Sequence, residues 1–360
     1  MSILEKIPLK SERAMRTGAG PVVLMTRIRL ARNLRDYYFP DWAKPSMRAQ
    51  VLSTCRNAVM AASVMKNGVS LEVASLDELD RGILVERHLI SRELANAKEG
   101  AAVCISKDQG CSVMINEEDH LRVQILRPGL QFKQAWRVAG QLDKTLEKQL
   151  DFAFSKDIGY LTACPSNVGT GLRGSALMHL PGLVLSGEME KVVRAVGQLG
   201  MTVRGLFGEG SEAHGSMFQI SNQQTLGESE TEILRHIEAV LRTILEQEEN
   251  ARARLIEQAP ETLFDKIGRC YGTLRYGHVL TSSEALNFLS LVRLAVDLNI
   301  LPETKRGLID RLVLEVQPGH LQGLFGDTNM LPHARDRLRA KHIRQCFSQM
   351  PEPDFGKARL

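Results

Sequence analysis

Residues 101–129 read AAVCISKDQGCSVMINEEDHLRVQILRPG. Apolar residues alternate at Val103/Ile105, Val113/Ile115 and Leu121/Val123/Ile125, with Lys107-Asp108-Gln109-Gly110 as a turn. A period of two interrupted by a glycine turn predicts antiparallel strands. On the C-terminal side, FKQAWRVAGQLDKTLEKQL (132–150) changes to helical spacing through Trp136, Ala139, Leu142 and Leu146. On the N-terminal side, residues 45–65 read as an amphipathic helix opening on Pro45. Short strands are expected around 159–163, 183–185, 201–205 and 215–220, with a helix near 187–199. From 228 onward the chain reads as helix after helix, with capping signals at Ser229 and Ser282/Ser283. The fold class is therefore α+β: an antiparallel β-sheet flanked by helices, then a smaller all-α C-terminal part ending in a loose tail over 350–360.

A length of 360 residues suits about two domains, and 43% hydrophobic with 24% charged residues is ordinary for a soluble globular protein. No apolar run approaches the roughly 18–20 residues of a membrane span. The opening MSILEKIPLK lacks an export signal, so a cytoplasmic enzyme without membrane contact is expected. A net charge of +4 is too mild to argue for nucleic-acid binding. The six cysteines (55, 104, 111, 164, 270, 346) form no C-x-x-C pair and no zinc spacing, so no metal site is expected.

Cys164 alone sits in an unusual setting, TACPSNVGTGLRG (162–174). As a protease-type nucleophile it would need a positioned histidine, and His179 in MHLPG reads more like part of a turn. As a thiolate it would take a hydrogen bond from Ser166 and attract a guanidinium. Arg27, Arg29, Arg122, Arg173 and Arg204 all lie in short polar or glycine-rich settings. Any one could be a solvated surface charge. Together they suggest a polyanion clamp, because guanidinium forks match phosphate oxygens, and Arg27 and Arg29 share a face on a strand. No Walker lysine accompanies them. Glu117, Glu118 and Asp119 crowd one turn, and GEGSEAHGS adds Glu209 and Glu212 in a glycine-rich loop.

CPSNVGTGLRGS, with INEEDHLRVQ, TRIRLARN and VRGLFGEGSEAHGSMFQISN, resembles the catalytic domain of the phosphagen (ATP:guanidino phosphotransferase) kinases over about residues 22–250. The resemblance implies that Arg27, Arg29, Arg122, Arg173 and Arg204 line the ATP phosphates, with His88 near the nucleotide and Mg²⁺ as the accompanying ion. It implies that Glu118 and Glu209 hold the substrate guanidinium, with Glu118 as the base and Cys164 as the site's thiolate. The turn after Cys164 is then expected to help cradle the nucleotide. Phe207 and Leu177 stand where the family usually places an arginine and a histidine. The motifs begin at residue 26, so the N-terminal helical domain of the small-molecule kinases is expected to be missing.

The C-terminal helices are similar to those of the bacterial protein arginine kinases, where RDRLRA (335–340) fits a phosphoarginine-binding motif. On a helix Arg335 and Arg339 share a face, with Asp336 within a turn of both; a plain salt-bridge lattice is the competing reading. The expected organisation is a catalytic domain over 1–250 and a helical domain over 251–360. The implied activity is transfer of the ATP γ-phosphoryl group to protein arginines. Two rivals are a kinase of a small guanidino compound and an inactive phosphoarginine-binding regulator. The resemblance also implies an activator protein, unfolded proteins and a stress-response repressor as substrates, a Clp-type unfoldase or protease, and a homodimer or higher oligomer.

Overall fold

The computed structural model describes Ile3, Ile7 and residues 20–97, 99–206, 214–327 and 330–359. In chain order, β1 (Val23–Arg32) leads to α1 (Pro45–Ala61), β2 (Val69–Glu72), α2 (Glu78–Glu86) and α3 (Arg92–Ala95). The meander β3 (Ala102–Ile105), β4 (Cys111–Ile115) and β5 (Leu121–Pro128) follows, then α4 (Phe132–Glu147) and a hairpin of β6 (Phe154–Ser155) and β7 (Gly159–Tyr160). Next come β8 (Leu172–His179), α5 (Pro181–Leu185), α6 (Met189–Gln198), β9 (Met201–Gly205) and β10 (Met217–Asn222). The rest is helical: α7 (Glu230–Gln258), α8 (Pro260–Tyr276), α9 (Ser282–Asp297), α10 (Arg306–Glu315), α11 (Pro318–Phe325) and α12 (Pro332–Phe347).

Two compact units result. The first holds residues 1–20, 25–176 and 221–239; the second holds 21–24, 177–220 and 240–360. In the first, the strand order is β2-β3-β4-β5-β1-β8, and the pairings from β2 through β1 are antiparallel. Register decides which side chains share a face. Arg29 pairs with Gln124 and Ala31 with Arg122, so Arg27, Arg29 and Arg122 stand on one side. The odd-numbered residues of β5, Leu121, Val123 and Ile125, are buried on the other. There α4 packs on β5 through Phe132, Ala135, Ala139, Leu142 and Leu146. Each large side chain so buried contributes about 1.5–3 kcal/mol. On the arginine side, Met114 and Leu126 continue into an apolar cluster with Ile83, Leu84 and Leu89 from α2 and its exit.

In the second unit, the end of β8 is followed in the sheet by β10 and then β9. Its core is built from α8, α9, α10 and α12 through Ile267, Leu274, Leu289, Val292, Leu312 and Ile343. Beside that core runs a buried ionic network. Asp297 receives Arg252 and Arg293 at 3.1 Å each and Arg306 at 3.0 Å. Glu248 pairs with Arg252 at 2.6 Å and accepts the Gly182 and Leu183 N–H groups at the start of α5. Arg293 also holds Asp310 at 2.7 Å.

Three local expectations differ from the structure. Residues 183–185 are helical in α5, because Pro181 opens a turn whose N–H groups Glu248 caps. The N-cap of α9 is Thr281, which forms a capping box with Glu284, rather than Ser282 or Ser283. The final stretch is tied down, with Asp354 and Arg359 donating backbone N–H bonds to Ile300 and Leu298 at 2.9 and 3.0 Å.

Candidate active site

The first unit gathers four arginines that the sequence pointed to. Arg27 and Arg29 come from β1, Arg122 from β5 and Arg173 from β8. Burial, with Arg122 and Arg173 as like-charged neighbours, lowers the Arg27 pKa to about 10. The same causes, with Arg27 added, push Arg29 well below the usual guanidinium range, and only Glu117 opposes them. Among the described residues the Arg29 Nε has no hydrogen-bond partner. Arg27 Nε reaches Ser175 Oγ at 3.4 Å, and Arg173 Nε donates to the Asn222 carbonyl at 3.3 Å. Four guanidinium groups on one face, beside the Glu117 and Glu118 carboxylates that Arg122 bridges, give a surface whose chemistry suits a multivalent anion.

The acidic turn lies against this face. Arg122 bridges Glu117 at 2.6 Å and Glu118 at 3.0 Å. Glu117 also accepts the Ser91 hydroxyl, and Ser91 caps α3. Burial raises the Glu118 pKa, with Asp119 and Glu117 adding to the rise; Arg122 and a hydrogen bond with Cys164 oppose it. Glu118 and Cys164 are therefore direct neighbours. The Cys164 sulfur lies 3.1 Å from Ser166 Oγ, the pairing expected from the sequence.

Asp119, which the sequence placed in the acidic turn without a role, and Asn33, which it did not single out, assemble these loops. Asp119 is fully buried; its Oδ1 accepts Asn33 Nδ2–H at 2.6 Å and the Ala163 N–H at 2.7 Å. Asn33 Oδ1 in turn accepts the His120 N–H at 2.9 Å. His120 accepts the Leu34 N–H on Nδ1 at 3.0 Å and gives Nε2–H to the Tyr38 carbonyl at 2.9 Å, which fixes one neutral tautomer. The signal was in the sequence: a short acid and amide flanking two catalytic motifs. Arg32 faces away from the arginine cluster, bridging Asp143 at 2.8 Å with Tyr160 beneath its guanidinium.

The glycines after Cys164 serve the protein's own backbone. Gly169 and Gly171 have φ of 109° and 62°. A Cβ on them would meet the Thr225 carbonyl oxygen at 2.3 Å and that of Ala31 at 2.7 Å.

His88 has φ of 60°, and its carbonyl accepts Gln124 Nε2–H at 2.6 Å, on the sheet face that carries Arg29. Arg204 is exposed on β9 of the second unit, and Leu177 packs at the edge of that unit's core. Glu209, Glu212 and Phe207 lie outside the described residues. His179 is fully buried, with Nε2 against Ser290 Oγ at 2.7 Å and Nδ1 against Arg293 at 3.2 Å. In α12, Arg339 is buried and donates to the carbonyls of Val316 and Leu280, at 2.8 Å each, and to Asp336 at 2.5 Å. Arg335 is half-buried and donates to the Met330 carbonyl at 3.2 Å.

Comparison with known proteins assigns the family. Residues 50–251 match the family model of the ATP:guanido phosphotransferase C-terminal catalytic domain. The chain belongs to the ATP:guanido phosphotransferase family. Residues 260–358 of this kinase match the protein-arginine kinase McsB C-terminal domain. It is 42% identical over 333 residues to a protein-arginine kinase of Pelotomaculum thermopropionicum, covering 92% of this chain and 93% of that one. It is 44% identical over 337 residues to a protein-arginine kinase of Moorella thermoacetica, covering 92% and 96%. The fold resembles a lombricine kinase crystal structure at a TM-score of 0.57 and 23% identity, over 70% of this chain and 76% of that one. ATP is the phosphoryl donor that the family implies. No helix among the described residues is long and apolar enough to cross a membrane.

Proposed function

We propose that this kinase transfers the γ-phosphoryl group of ATP to arginine side chains of proteins. The observation that carries the reading is the contact of Glu118 with Cys164 beside four clustered guanidinium groups. The protein-arginine kinases among its relatives support a protein substrate over a small guanidino compound or an inactive regulator. In this reading residues 1–250 supply the chemistry and 251–360 the helical part.

A free guanidinium is protonated at neutral pH and is a poor nucleophile. Glu118 and the Cys164 sulfur orient it and favour removal of a proton during transfer, with Glu118 as the base; for Glu209 the same role rests on the family resemblance alone. The raised pKa of Glu118 makes its carboxylate a stronger base than an exposed one. Arg27, Arg29, Arg122 and Arg173 neutralise the phosphates, and His88 flanks the nucleotide; for Arg204 the family resemblance alone supports the same role. Among the described residues no three His, Cys, Asp or Glu side chains gather in a metal-holding group. ATP would bring Mg²⁺ as its accompanying ion, which would add charge neutralisation beside these arginines. Incubation with ATP–Mg²⁺ and either casein or free arginine tests the proposal; acid-labile phosphate on casein is expected, and phosphate on free arginine alone overturns it.

Arg335, Asp336 and Arg339 form the proposed phosphoarginine site. The spacing alone offers two forks, Arg335 and Arg339, for the phosphoryl group and Asp336 for the guanidinium; because Arg339 is buried on two carbonyls and on Asp336, we assign the phosphate fork to Arg335 and to Arg339 the holding of Asp336. Calorimetric titration of phosphoarginine into wild type and Asp336→Ala, with the active site filled by nucleotide, tests it; equal binding by both refutes it. Family resemblance alone supports the remaining partners: an activator, a stress-response repressor, a Clp-type protease, a homo-oligomer and a cytoplasmic setting.

A further inference from the structure

Arg122 is shared between two carboxylates that the structure holds very differently. Its Nη1 donates to Glu117 at 2.6 Å and its Nη2 to Glu118 at 3.0 Å. Glu117 is pinned. Its carboxylate also accepts the Ser91 hydroxyl and, at 3.2 Å, the Glu118 N–H, and its side chain is 1% exposed. The Glu118 side chain is 38% exposed, and it meets Arg122 and Cys164. An ion pair with a member so open to water is weak, so the Glu118 arm is the one that yields. Glu117 meanwhile keeps Arg122 on a pivot. The charge of Arg122 is felt by both Arg27 and Arg29, so these neighbours press it toward the carboxylates until a counter-charge reaches the arginine face.

What Arg122 places on Glu118 is a guanidinium, the same group that a target arginine would present there. We propose that Arg122 is a built-in occupant of the Glu118 position, which the phosphates of ATP draw off to open Glu118 to the target arginine. The inference rests on the protein-arginine reading above and adds an order, in which nucleotide prepares the acceptor side. One small movement has two effects. Glu118 loses its internal cation, and the positive charge that repels an incoming guanidinium is spent on phosphate oxygens instead. Glu117 keeps the movement short, since Arg122 only turns about the arm it retains. Once on phosphate, Arg122 also ceases to hold the Glu118 carboxyl down, so the base strengthens when the group to be transferred is in place. An arginine that reaches the free protein meets a carboxylate already paired. The coupling is reciprocal: a target arginine seated on Glu118 releases Arg122 for the phosphates.

The test reads protection of Cys164, the neighbour of Glu118, from iodoacetamide. The probe is the capped tripeptide acetyl-Gly-Arg-Gly-amide. Its concentration that halves the alkylation rate is measured with and without the β,γ-imido analogue of ATP and Mg²⁺. The citrulline tripeptide, uncharged and of the same shape, is the control. In wild type the analogue should lower the half-protecting concentration about fivefold. Arg122→Gln without nucleotide should be protected at the concentration that wild type needs with the analogue. Adding the analogue should then change that value by less than about twofold. A merely structural Arg122 would give weaker protection in both states. That result, no gain from the analogue in wild type, or equal protection by the citrulline peptide overturns the inference. If Arg122→Gln lacks a cooperative melting transition, Arg122→Lys decides by the same readings, because one ammonium held on Glu117 cannot fork to both carboxylates. A wild type that phosphorylates casein without this coupling sinks the inference alone. One that leaves casein unphosphorylated sinks the protein-arginine reading, and the inference with it.

Discussion

Asp119 Oδ1 accepts the Ala163 N–H at 2.7 Å, so the residue after Glu118 fixes the residue before Cys164. The same oxygen holds Asn33. Asp119→Ala leaves two buried donors unpaired and should cost about 2–6 kcal/mol, at about 1–3 kcal/mol for each orphaned group. Denaturant midpoints check the stability. The kcat on casein should fall more than that of Asp143→Ala, a variant that cuts the Arg32 bridge on the far side of the sheet; equal kcat would remove Asp119 from the site's assembly.

Glu118→Gln keeps shape and removes the base. The rate should fall about 10²–10⁴-fold with KM for ATP little changed. Because burial lifts the Glu118 carboxyl above its ordinary 4.5, the acid limb of kcat/KM should lie above the normal glutamate range. Activity is lost as pH falls through that raised value. Arg122→Gln removes the cation that holds it down and should move the limb further up; a limb that does not move would mean another group governs it.

Cys164→Ser should be slow but alive, because the thiol acts electrostatically, and chloride should restore part of the rate. Alkylation should strike Cys164 first. Burial raises Cys55 to about 12 and Cys270 to about 11, and it raises Cys104, Cys111 and Cys346 as well. A phosphocysteine trapped at Cys164 by mass spectrometry would contradict this assignment.

Arg29 costs the nucleotide-free protein stability. Arg29→Met removes a buried cation held among like charges and should stabilise the nucleotide-free form by about 1–4 kcal/mol. The same change should abolish the rise in melting temperature that ATP gives wild type. Unaltered ATP protection would separate Arg29 from the phosphates.

His179 sets a pH dependence of stability. Burial, then the charges of Arg293 and Arg252, hold its pKa well below 6.5. A depressed histidine stays neutral while the unfolded chain takes a proton below pH about 6.5, so its term weakens the fold as pH falls, by about 1.4 kcal/mol per unit. His179→Gln should flatten that slope between about pH 6.5 and 5 in chemical denaturation; an unchanged slope would assign it to other groups.

The meander was legible because apolar residues alternate in β5 and a glycine turn parts β3 from β4, although β3 and β4 are buried on both faces; Arg27 and Arg29 share a face by the period of two alone. The registers that bring Arg122 and Arg173 beside them depend on pairings between distant segments, which no local pattern encodes. Residues 183–185 look like a strand because Leu183, Val184 and Leu185 are apolar. What turns them into a helix is Glu248, some 65 residues away. Asn33 and Asp119 were hidden for the same reason: their partners are remote, and short polar residues are common in turns. The need for glycine at 169 and 171 comes from the close approach of the Thr225 and Ala31 carbonyls, which are remote in the chain or on another strand.

Residues 177–220, which lie within the matched catalytic family, fold in one unit with the helices beyond 240. Gly215, at φ 71°, donates its N–H to Asn287 of α9 at 2.7 Å, and the end of β8 rests on Ser290 and Arg293 of the same helix. A fragment ending at Gln258 would keep every quoted catalytic motif and lose this support. Arg252 would be parted from Asp297, His179 from Ser290, and Gly215 from Asn287. Helix α9 is an internal splint for the strand and loop that end the catalytic segment, so severing it should yield a chain that carries the whole active-site alphabet and cannot spell with it.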